Sequence, residues 1–249
     1  MSLEIKNVGK TFSGSAQPVL DIINLNIAPG EFVCLLGSSG CGKSTLLNLI
    51  AGLDHPTAGQ ILHNGSPVIR PGTDRSYLFQ EPALFPWLNV IDNIKFGMRI
   101  NGVDKAEQEK RASHYLQMVN LEAYRDYRVH ELSGGMKQRV ALARALTIDS
   151  DVLLMDEPFA ALDSHTKTEM RAHLLDIWER TGKTILFVTH SIKEAFMLAD
   201  RVIVLSTHPT RIIQEYCLSR PRDIQEADIQ EMIMEAEASL AKEVTSIAS

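Results

Sequence analysis

The stretch that decides the fold of this chain is Gly37-Ser38-Ser39-Gly40-Cys41-Gly42-Lys43-Ser44-Thr45. It follows the apolar run 32–36 and precedes the apolar run 46–51, an order that predicts a strand, a glycine-rich loop and a helix. Glycine adopts backbone angles that are closed to other residues, so such a loop can turn its amide groups inward around an anion. The following helix offers its partially positive N-terminus to the same anion. The spacing, a glycine, four free positions and then Gly-Lys-Ser, is that of a phosphate-binding P-loop.

The polar side chains of this loop suit a nucleoside triphosphate carried with Mg²⁺. Lys43 supplies a movable positive charge for the β- and γ-phosphates, and Ser44 supplies a hydroxyl ligand for the metal ion. The alternative is a plain glycine- and serine-rich turn before a buried helix, which the strand before the loop and the helix after it disfavour. We therefore expect the whole stretch 37–45 to bind ATP.

Composition indicates one α/β domain, with or without an added lobe, in a chain of 249 residues of which 45% are hydrophobic. The formal net charge of −6 disfavours a broad nucleic-acid footprint. The three cysteines, Cys34, Cys41 and Cys217, suggest no disulfide framework and favour a reducing compartment, hence the cytosol. The apolar runs have the length of strands and no basic-then-apolar leader opens the sequence, so we expect other subunits to supply any membrane pore.

Short strands on both sides of the P-loop predict a small antiparallel sheet beside the nucleotide. Residues 3–8 alternate apolar and polar, 19–27 are typical of a pair of strands, and 60–63 predict a strand that ends in an Asn64-Gly65 hairpin turn. Phe12 lies among these strands. Its ring either stacks on the adenine or packs in the core, and the sequence alone favours the core.

Residues 90–124 have a helical pattern with a helix start at Asp104, which indicates an inserted helical lobe. A further helix is predicted over 137–146, with Ser133 as its cap. The glycines at 134 and 135 leave the N-terminus of this helix bare, so it is a second helix end that can receive an anion. A plain capped helix is the alternative, and this motif alone does not decide between the two.

Two buried strands end in polar side chains. Residues 151–157 predict a parallel strand that ends in Asp156 and Glu157, and the carboxyl ends of such strands carry catalytic groups. Asp156 suits a ligand of Mg²⁺, directly or through water, and Glu157 suits the group that polarises the attacking water. Helix capping is the alternative for this acidic pair. Residues 184–190 predict another buried strand, and the histidine at its end is either functional or structural.

The loop after Gln80 contains two prolines and two large aromatic residues, Phe85 and Trp87. They form either an exposed docking surface for a partner or part of the domain's own core. The histidines lack the paired spacing typical of a zinc site, so we expect no metal other than Mg²⁺.

Toward the C-terminus, residues 201–205 and 210–216 predict edge strands, and 223–244 predict an acidic helix. Packing of this helix on its own domain is favoured over a regulatory or subunit contact. Its predicted apolar face comprises Ile229, Met232, Ile233, Ala236 and Leu240.

The run Leu132-Ser133-Gly134-Gly135-Met136-Lys137-Gln138-Arg139, between the P-loop and the acidic strand, resembles the signature of the ATP-binding subunits of ABC transporters. The resemblance extends to about the last helix. It implies an α/β fold, a P-loop NTPase cassette with a mainly parallel sheet core, a small antiparallel β subdomain and an inserted helical lobe. The cassette would span 1–220, with the lobe at about 88–150, and 221–249 would form an acidic C-terminal helical extension.

The resemblance also implies a role for each motif residue. Phe12 stands where the family stacks adenine, usually on a tyrosine, and Met136 stands where the signature usually has glutamine. The expected catalytic residues are Glu157, the switch histidine His190 and the Q-loop glutamine Gln80. The expected metal ligands are Ser44, Gln80 and Asp156. The expected nucleotide-binding residues are Phe12, Gly37, Ser38, Ser39, Gly40, Cys41, Gly42, Lys43, Ser44, Thr45, Ser133, Gly134, Gly135 and the D-loop aspartate Asp163.

A narrower resemblance lies in the stretches 71–75, 84–90 and 208–212, which are similar to those of the nitrate/sulfonate/taurine/bicarbonate importer ATPases. It implies an ATP-hydrolysing subunit at the cytoplasmic face of the cell membrane that energises uptake of a small anion or organosulfur compound. Its implied partners are transmembrane permease subunits docked near 80–90 and, indirectly, a substrate-binding protein, with no nucleic acid. An importer for another substrate is the alternative.

In that family two copies pair head to tail, which places each ATP between Lys43 of one copy and residues 133–135 of the other. Hydrolysis removes the γ-phosphate bridge, and the halves part. A soluble ABC ATPase of DNA repair or translation is disfavoured by the single cassette, the absence of a heptad run and the negative charge. A non-catalytic nucleotide-gated regulatory module is disfavoured by Glu157 and His190.

Overall fold

The structure, a computed structural model, describes residues 3–219 and 226–247. It separates into two compact units, one formed by the chain up to residue 72 together with the part from 182 onward, the other by residues 73–181. The strands are β1 (Leu3–Lys10), β2 (Leu20–Ile27), β3 (Phe32–Leu36), β4 (Ala58–His63), β5 (Ser66–Pro67), β6 (Arg75–Leu78), β7 (Val152–Asp156), β8 (Thr184–Thr189), β9 (Arg201–Leu205) and β10 (Ile212–Cys217). The helices are α1 (Lys43–Ala51), α2 (Val90–Ile100), α3 (Lys105–Met118), α4 (Gly134–Leu146), α5 (Ser164–Thr181), α6 (Ile192–Leu198) and α7 (Ala227–Ile247), with 3₁₀ turns at Glu122–Tyr124 and Val129–Glu131.

The first unit contains the predicted antiparallel sheet, in the order β2-β1-β4-β5. Buried apolar residues in β1 and β2 alternate roughly with more exposed, mostly polar ones, as expected of strands with one face on the core. Residues 19–27 were expected to form a pair of strands, which is wrong: they supply the single strand β2, because residues 20–27 pair with β1 from one end to the other. The hairpin turn at Asn64-Gly65 is confirmed, and both residues have positive φ angles.

The parallel strands of the first unit are centred on β3, which pairs with β8 on one side and β9 on the other. All five residues of β3 and all six of β8 are buried, which explains their continuous apolar sequences. The prediction that β9 is an edge strand is wrong, because β9 lies between β3 and the antiparallel strand β10. The predicted α/β class with parallel strands and a small antiparallel sheet is confirmed.

The second unit combines the parallel pair β6 and β7 with the helices α2, α3 and α4, which pack against one another. The predicted helix start at Asp104 is confirmed, since its carboxylate accepts a hydrogen bond from the amide of Ala106 at 2.9 Å. The helix expected to begin at Lys137 begins at Gly134 instead. Both glycines therefore form part of its first turn.

The acidic helix α7 packs on α6 of the same unit, which agrees with the favoured interpretation of its apolar face. Ile229 and Ala236 on that face are buried. The carboxylate of Glu243 also accepts a hydrogen bond from the amide of Thr207 at 3.0 Å. The expected first residues of this helix, 223–225, lie outside the described residues. Within the described parts of the chain, no helix is both long enough and apolar enough to span a membrane.

Candidate nucleotide-binding and catalytic site

The P-loop connects β3 to α1 and leaves the first turn of α1 uncovered. Gly42 occupies the N-cap position with φ 99°, and no side chain caps the helix. A φ angle of this size is open to glycine and strained for other residues. The amide groups of the first turn therefore have no capping side chain in front of them, as an anion site at a helix N-terminus requires.

Lys43 holds its positive charge inside this loop. The side chain is 4% exposed, and its ammonium group donates to the carbonyl oxygens of Gly37 at 2.9 Å and Ser38 at 2.6 Å. The Sγ atom of Cys41 lies 3.8 Å away. Burial raises the pKa of the Cys41 thiol, and the nearby ammonium opposes that rise only in part, so the thiol stays neutral.

Close packing inside the loop accounts for Gly37. A methyl group at this position would lie 2.7 Å from the Sγ atom of Cys41, too close for carbon and sulfur. The hydroxyl of Thr210, which is buried, donates to the carbonyl oxygen of Cys41. Thr210 was not identified as a site residue from the sequence, because 169 positions separate it from Cys41 and no local pattern marks the contact.

His190 lies at the same end of the parallel strands as the P-loop. Leu36 and Thr189 are paired in register between β3 and β8, so Gly37 and His190 follow neighbouring strand ends. His190 is exposed, while the hydroxyl of Thr189 donates to the carboxylate of Glu194 at 2.8 Å and fixes the turn. The structure therefore brings this predicted residue beside the start of the nucleotide loop.

Phe12 belongs to the surface of the first unit. Its side chain is 45% exposed, which excludes the core interpretation that the sequence favoured. The ammonium group of Lys10 lies 5.1 Å from the ring centroid. The ring thus has an accessible apolar face of the kind that stacks on a flat base.

The acidic pair of the second unit combines a buried and a half-buried carboxylate. Asp156 is 5% exposed, and the hydroxyl of Tyr77 lies 3.5 Å from its Oδ2 atom. Burial and the Asp156 carboxylate raise the pKa of Tyr77, so the hydroxyl remains a donor. Glu157 has φ 44°, and its carbonyl oxygen accepts from the amide of Ala160 at 3.1 Å. Such strained backbone is concentrated at functional sites.

Gln80 lies at the same sheet edge as this acidic pair. Leu78 and Met155 are paired between β6 and β7, so the residues after β6 lie next to the end of β7. Gln80 is exposed. The predicted residue Gln80 and the predicted carboxylates of Asp156 and Glu157 therefore lie at the same ends of two neighbouring strands of the second unit.

The first turn of α4 is capped by Ser133 and begins with two glycines, Gly134 and Gly135. Ser133 caps the helix by accepting from the amide of Met136 at 3.3 Å. A methyl group added at Gly134 would meet no atom within 4 Å, and its φ angle is not positive. Among the described residues neither packing nor backbone geometry requires glycine there, so the absence of a side chain at Gly134 suits close approach by a group from outside.

Asp163 is exposed and caps α5. Its carboxylate accepts from the amide of Thr166 at 3.0 Å and from the hydroxyl of the same residue at 2.7 Å. These hydrogen bonds lower the pKa of Asp163. Asp163 therefore serves as the N-cap of α5.

The oxygen donors expected for Mg²⁺ are chemically suitable. Ser44 presents an exposed hydroxyl in the first turn of α1, and Asp156 presents a buried carboxylate. Hard oxygen ligands of this kind, few in number and completed by phosphate and water, are what Mg²⁺ prefers. No group of three or more His, Cys, Asp or Glu side chains that could hold a metal ion by itself occurs among residues 3–219 and 226–247.

Comparison with known proteins agrees with this geometry. A family model described as "ABC transporter" matches residues 20–160. The chain is 48% identical over 225 residues to the "Nitrate import ATP-binding protein NrtD" of Synechocystis, covering 90% of this chain and 85% of that protein. It is 47% identical over 207 residues to the "Taurine import ATP-binding protein TauB" of Burkholderia pseudomallei, covering 83% of this chain and 80% of that protein.

A solved structure has the same fold. It is described as the dimeric structure of a post-hydrolysis state of an ATP-binding cassette bound to ADP and Pi, and it matches with a TM-score of 0.80 and 34% identity over 87% of this chain and 99% of that one. The family match and the relatives lead to one conclusion: the chain is an ATP-binding subunit of the ABC transporter family, in the group that includes the nitrate and taurine import proteins.

Proposed function

We propose that this chain hydrolyses ATP to energise uptake of a small anion or organosulfur compound, of the nitrate, sulfonate, taurine or bicarbonate type, by a membrane ABC importer. The observation that carries the proposal is a pair of helix N-termini open to an anion: α1 behind Gly42, which no side chain caps, and α4, whose first turn begins with Gly134. One has the lysine that a triphosphate needs. The other has a glycine, Gly134, where an added methyl group would meet no atom of the described residues within 4 Å.

The roles of the individual residues follow from their chemistry. Lys43 and the amides of α1 bind the β- and γ-phosphates, and Phe12 stacks on the adenine. Glu157 polarises the attacking water, with Gln80 and His190 as further catalytic groups. Mg²⁺, when bound, neutralises phosphate charge, and Ser44, Asp156 and Gln80 are the groups that would hold it.

The second helix end implies a second copy of the chain. In a head-to-tail homodimer each ATP lies between the P-loop of one copy and residues 133–135 of the other, with Asp163 near the dimer contact. The bare first turn at Gly134 supports this arrangement, since an anion from a partner can reach it without displacing a side chain. Cleavage of the γ-phosphate removes the bridge between the copies.

The exposed aromatic loop after Gln80 supports docking on transmembrane permease subunits at the cytoplasmic face of the membrane. Trp87 is 66% exposed and Phe85 is half-buried. Exposed aromatic residues are common anchors of interfaces. A substrate-binding protein would then act through the permease, without touching this chain.

The deciding experiment combines the Glu157→Gln variant with sedimentation velocity. With MgATP this variant should form a dimer and turn over at least about 100-fold more slowly than the unsubstituted chain. Failure to dimerise, together with normal ATPase activity, would refute the head-to-tail model. Affinity purification of the tagged chain from its own membranes should retain permease subunits. Comparing the uptake of labelled nitrate and labelled taurine by those membranes shows which class of compound is transported.

A further inference from the structure

The geometry points to Arg144 as the positioning residue through which α4 holds the exposed Trp87 loop, so that one helix connects the nucleotide-receptive turn at Gly134 with the docking surface. The inference rests on the proposed coupling to a permease and names a residue that transmits it. We use "Trp87 loop" for residues 82–89.

Arg144 binds the beginning of the Trp87 loop through backbone carbonyl groups. Its Nη1 atom donates to the carbonyl oxygen of Ala83 at 2.9 Å, and its Nη2 atom donates to that of Pro82 at 3.0 Å. The guanidinium carbon also lies 5.5 Å from the ring centroid of Phe85. The planar fork of arginine makes two such bonds in one fixed orientation, which a lysine cannot do.

Arg144 is half-buried, and among residues 3–219 and 226–247 no carboxylate forms an ion pair with it. Burial lowers the pKa of Arg144, and in the described parts of the chain its hydrogen bonds go to the two carbonyl groups alone. Ala83, whose carbonyl it holds, has φ 43°, a conformation that alanine rarely adopts. The loop conformation therefore depends on contacts from outside the loop.

A buried side chain, Asn93, fixes the far end of the Trp87 loop. Asn93 of α2 is fully buried, accepts from the amide of Phe85 at 2.8 Å, and donates to the carbonyl oxygens of Phe85 at 3.2 Å and Asn89 at 2.9 Å. Between these two attachments the Trp87 ring stands exposed, 5.5 Å from the Phe85 ring between centroids. Asn93 and Arg144 belong to different helices, so a movement of α4 relative to α2 changes the shape of the loop.

The helix α4 is well suited to transmit such a movement. It spans Gly134–Leu146, which is about 20 Å of rigid helix. Gly134 lies in its first turn and Arg144 in its last. A group bound at the first turn therefore acts on the same rigid helix that carries Arg144. Because Arg144 is placed against neither the nucleotide nor the reacting atoms, its role is that of a positioning residue.

The test uses Trp87 as its own reporter in a Trp178→Phe background, because the chain has only these two tryptophans. MgATP should change the acrylamide quenching of Trp87 in this background. Arg144→Met, which keeps the apolar stem, should reduce that change at least threefold while the Kd for ATP, measured by calorimetry, stays within about twofold. Arg144→Lys should restore the change only in part.

Arg139→Met is the matched control. Arg139 also lies on α4 and donates to a backbone carbonyl, that of Val119 at 2.9 Å, but it does not touch the Trp87 loop. It should keep the full Trp87 response. The assignment of Arg144 would be overturned if the MgATP-induced change in Trp87 quenching survived Arg144→Met, or if Arg139→Met abolished it equally. It would also be overturned if the unsubstituted chain bound ATP without any change in Trp87 quenching.

Hydrogen exchange of residues 82–90 in the full chain, without the Trp178 substitution, gives a second measurement. Exchange there should speed up in Arg144→Met and stay unchanged in Arg139→Met; equal protection in all three proteins would contradict the inference. If the unsubstituted chain failed to bind ATP at all, that result would instead refute the proposed function, and the positioning role of Arg144 would be refuted with it.

Discussion

The ammonium group of Lys43 lies 2.6 Å from the carbonyl oxygen of Ser38, inside a loop that leaves the lysine side chain only 4% exposed. The backbone of the P-loop therefore holds the charge at the N-terminus of α1, and the carbonyl oxygen of Gly37 is its second acceptor. A buried cation surrounded by carbonyl dipoles and helix amides is already placed for phosphate, so little ordering is needed on binding.

Replacing Lys43 by alanine should weaken ATP binding roughly 10- to 100-fold, because hydrogen bonds to charged groups contribute about 1.5–3 kcal/mol each. Titration calorimetry measures the change. Lys6→Ala, which removes an exposed lysine of the same unit, is the control and should bind ATP normally. Equal affinity of the two variants would mean that Lys43 serves only the loop's own structure.

Glu157→Gln should lower the ATPase rate at least about 100-fold while ATP affinity stays within a few-fold, because the amide cannot accept a proton from the attacking water. Steady-state phosphate release and calorimetry separate the two effects. The control, Glu122→Gln, neutralises an exposed carboxylate of the same unit. ATPase activity of the Glu157 variant close to that of the control would remove Glu157 from its catalytic role.

Gly134→Ala should leave the free energy of unfolding unchanged or raise it by up to about 1 kcal/mol, because alanine is the better helix former. Nothing within 4 Å obstructs the added methyl group in this chain. ATP-dependent dimerisation of the Glu157→Gln background should nevertheless weaken at least tenfold, since the methyl group obstructs the partner's nucleotide. Urea unfolding and sedimentation velocity measure the two quantities.

Gln117→Ala is the control for Gly134→Ala, because it replaces an exposed residue of α3 with the same helix former. It should not affect dimerisation. If Gly134→Ala dimerised as well as this control does, the bare turn would have no role in binding a second copy.

Trp87→Ala should leave the ATP affinity and the melting temperature of the isolated chain almost unchanged, because the indole is 66% exposed. Retention of permease subunits during affinity purification from membranes should be lost. Tyr127→Ala removes another exposed aromatic of the same unit and should purify with its partners. A large drop in melting temperature for Trp87→Ala would instead identify a packing role.

The second unit should become less stable in acid, because protonation of Glu109 removes the stabilisation that its ionised carboxylate provides. Lys95 and Arg125 lower the pKa of Glu109 to about 2 from its ordinary 4.5, so the unfolded chain binds the proton more readily than the folded one. Its stabilising contribution is therefore complete above about pH 5 and is lost as the pH falls toward 2. Because the side chain is 46% exposed, we expect at most about 1 kcal/mol.

Urea unfolding of the unsubstituted chain and of Glu109→Gln, from pH 7 to the lowest pH at which both are folded, tests this dependence. The gap between the two proteins should narrow as the pH falls, and 1 M salt should shrink it at neutral pH. A gap that widens in acid would contradict the assignment of the low pKa.

Features with a local cause could be predicted from the sequence. The P-loop spacing, the capping of α3 by Asp104 and of α4 by Ser133, and the apolar runs of β3 and β8 all depend on neighbours within a few positions. The start of α4 was misplaced by three residues because glycine disfavours helix locally, whereas the structure accommodates it in the first turn.

By itself the sequence determined which residue types carry the chemistry, because the spacing of a phosphate loop, of two strand-end carboxylates and of a signature turn is short-range information. Only the tertiary structure decided that Phe12 and Trp87 are exposed, that β9 is interior, and that Thr210 supports the loop. It also decided that Arg144 reaches Ala83 across 61 positions of sequence. Exposure and long-range hydrogen bonds depend on which distant segments pack together, and no local pattern contains that information.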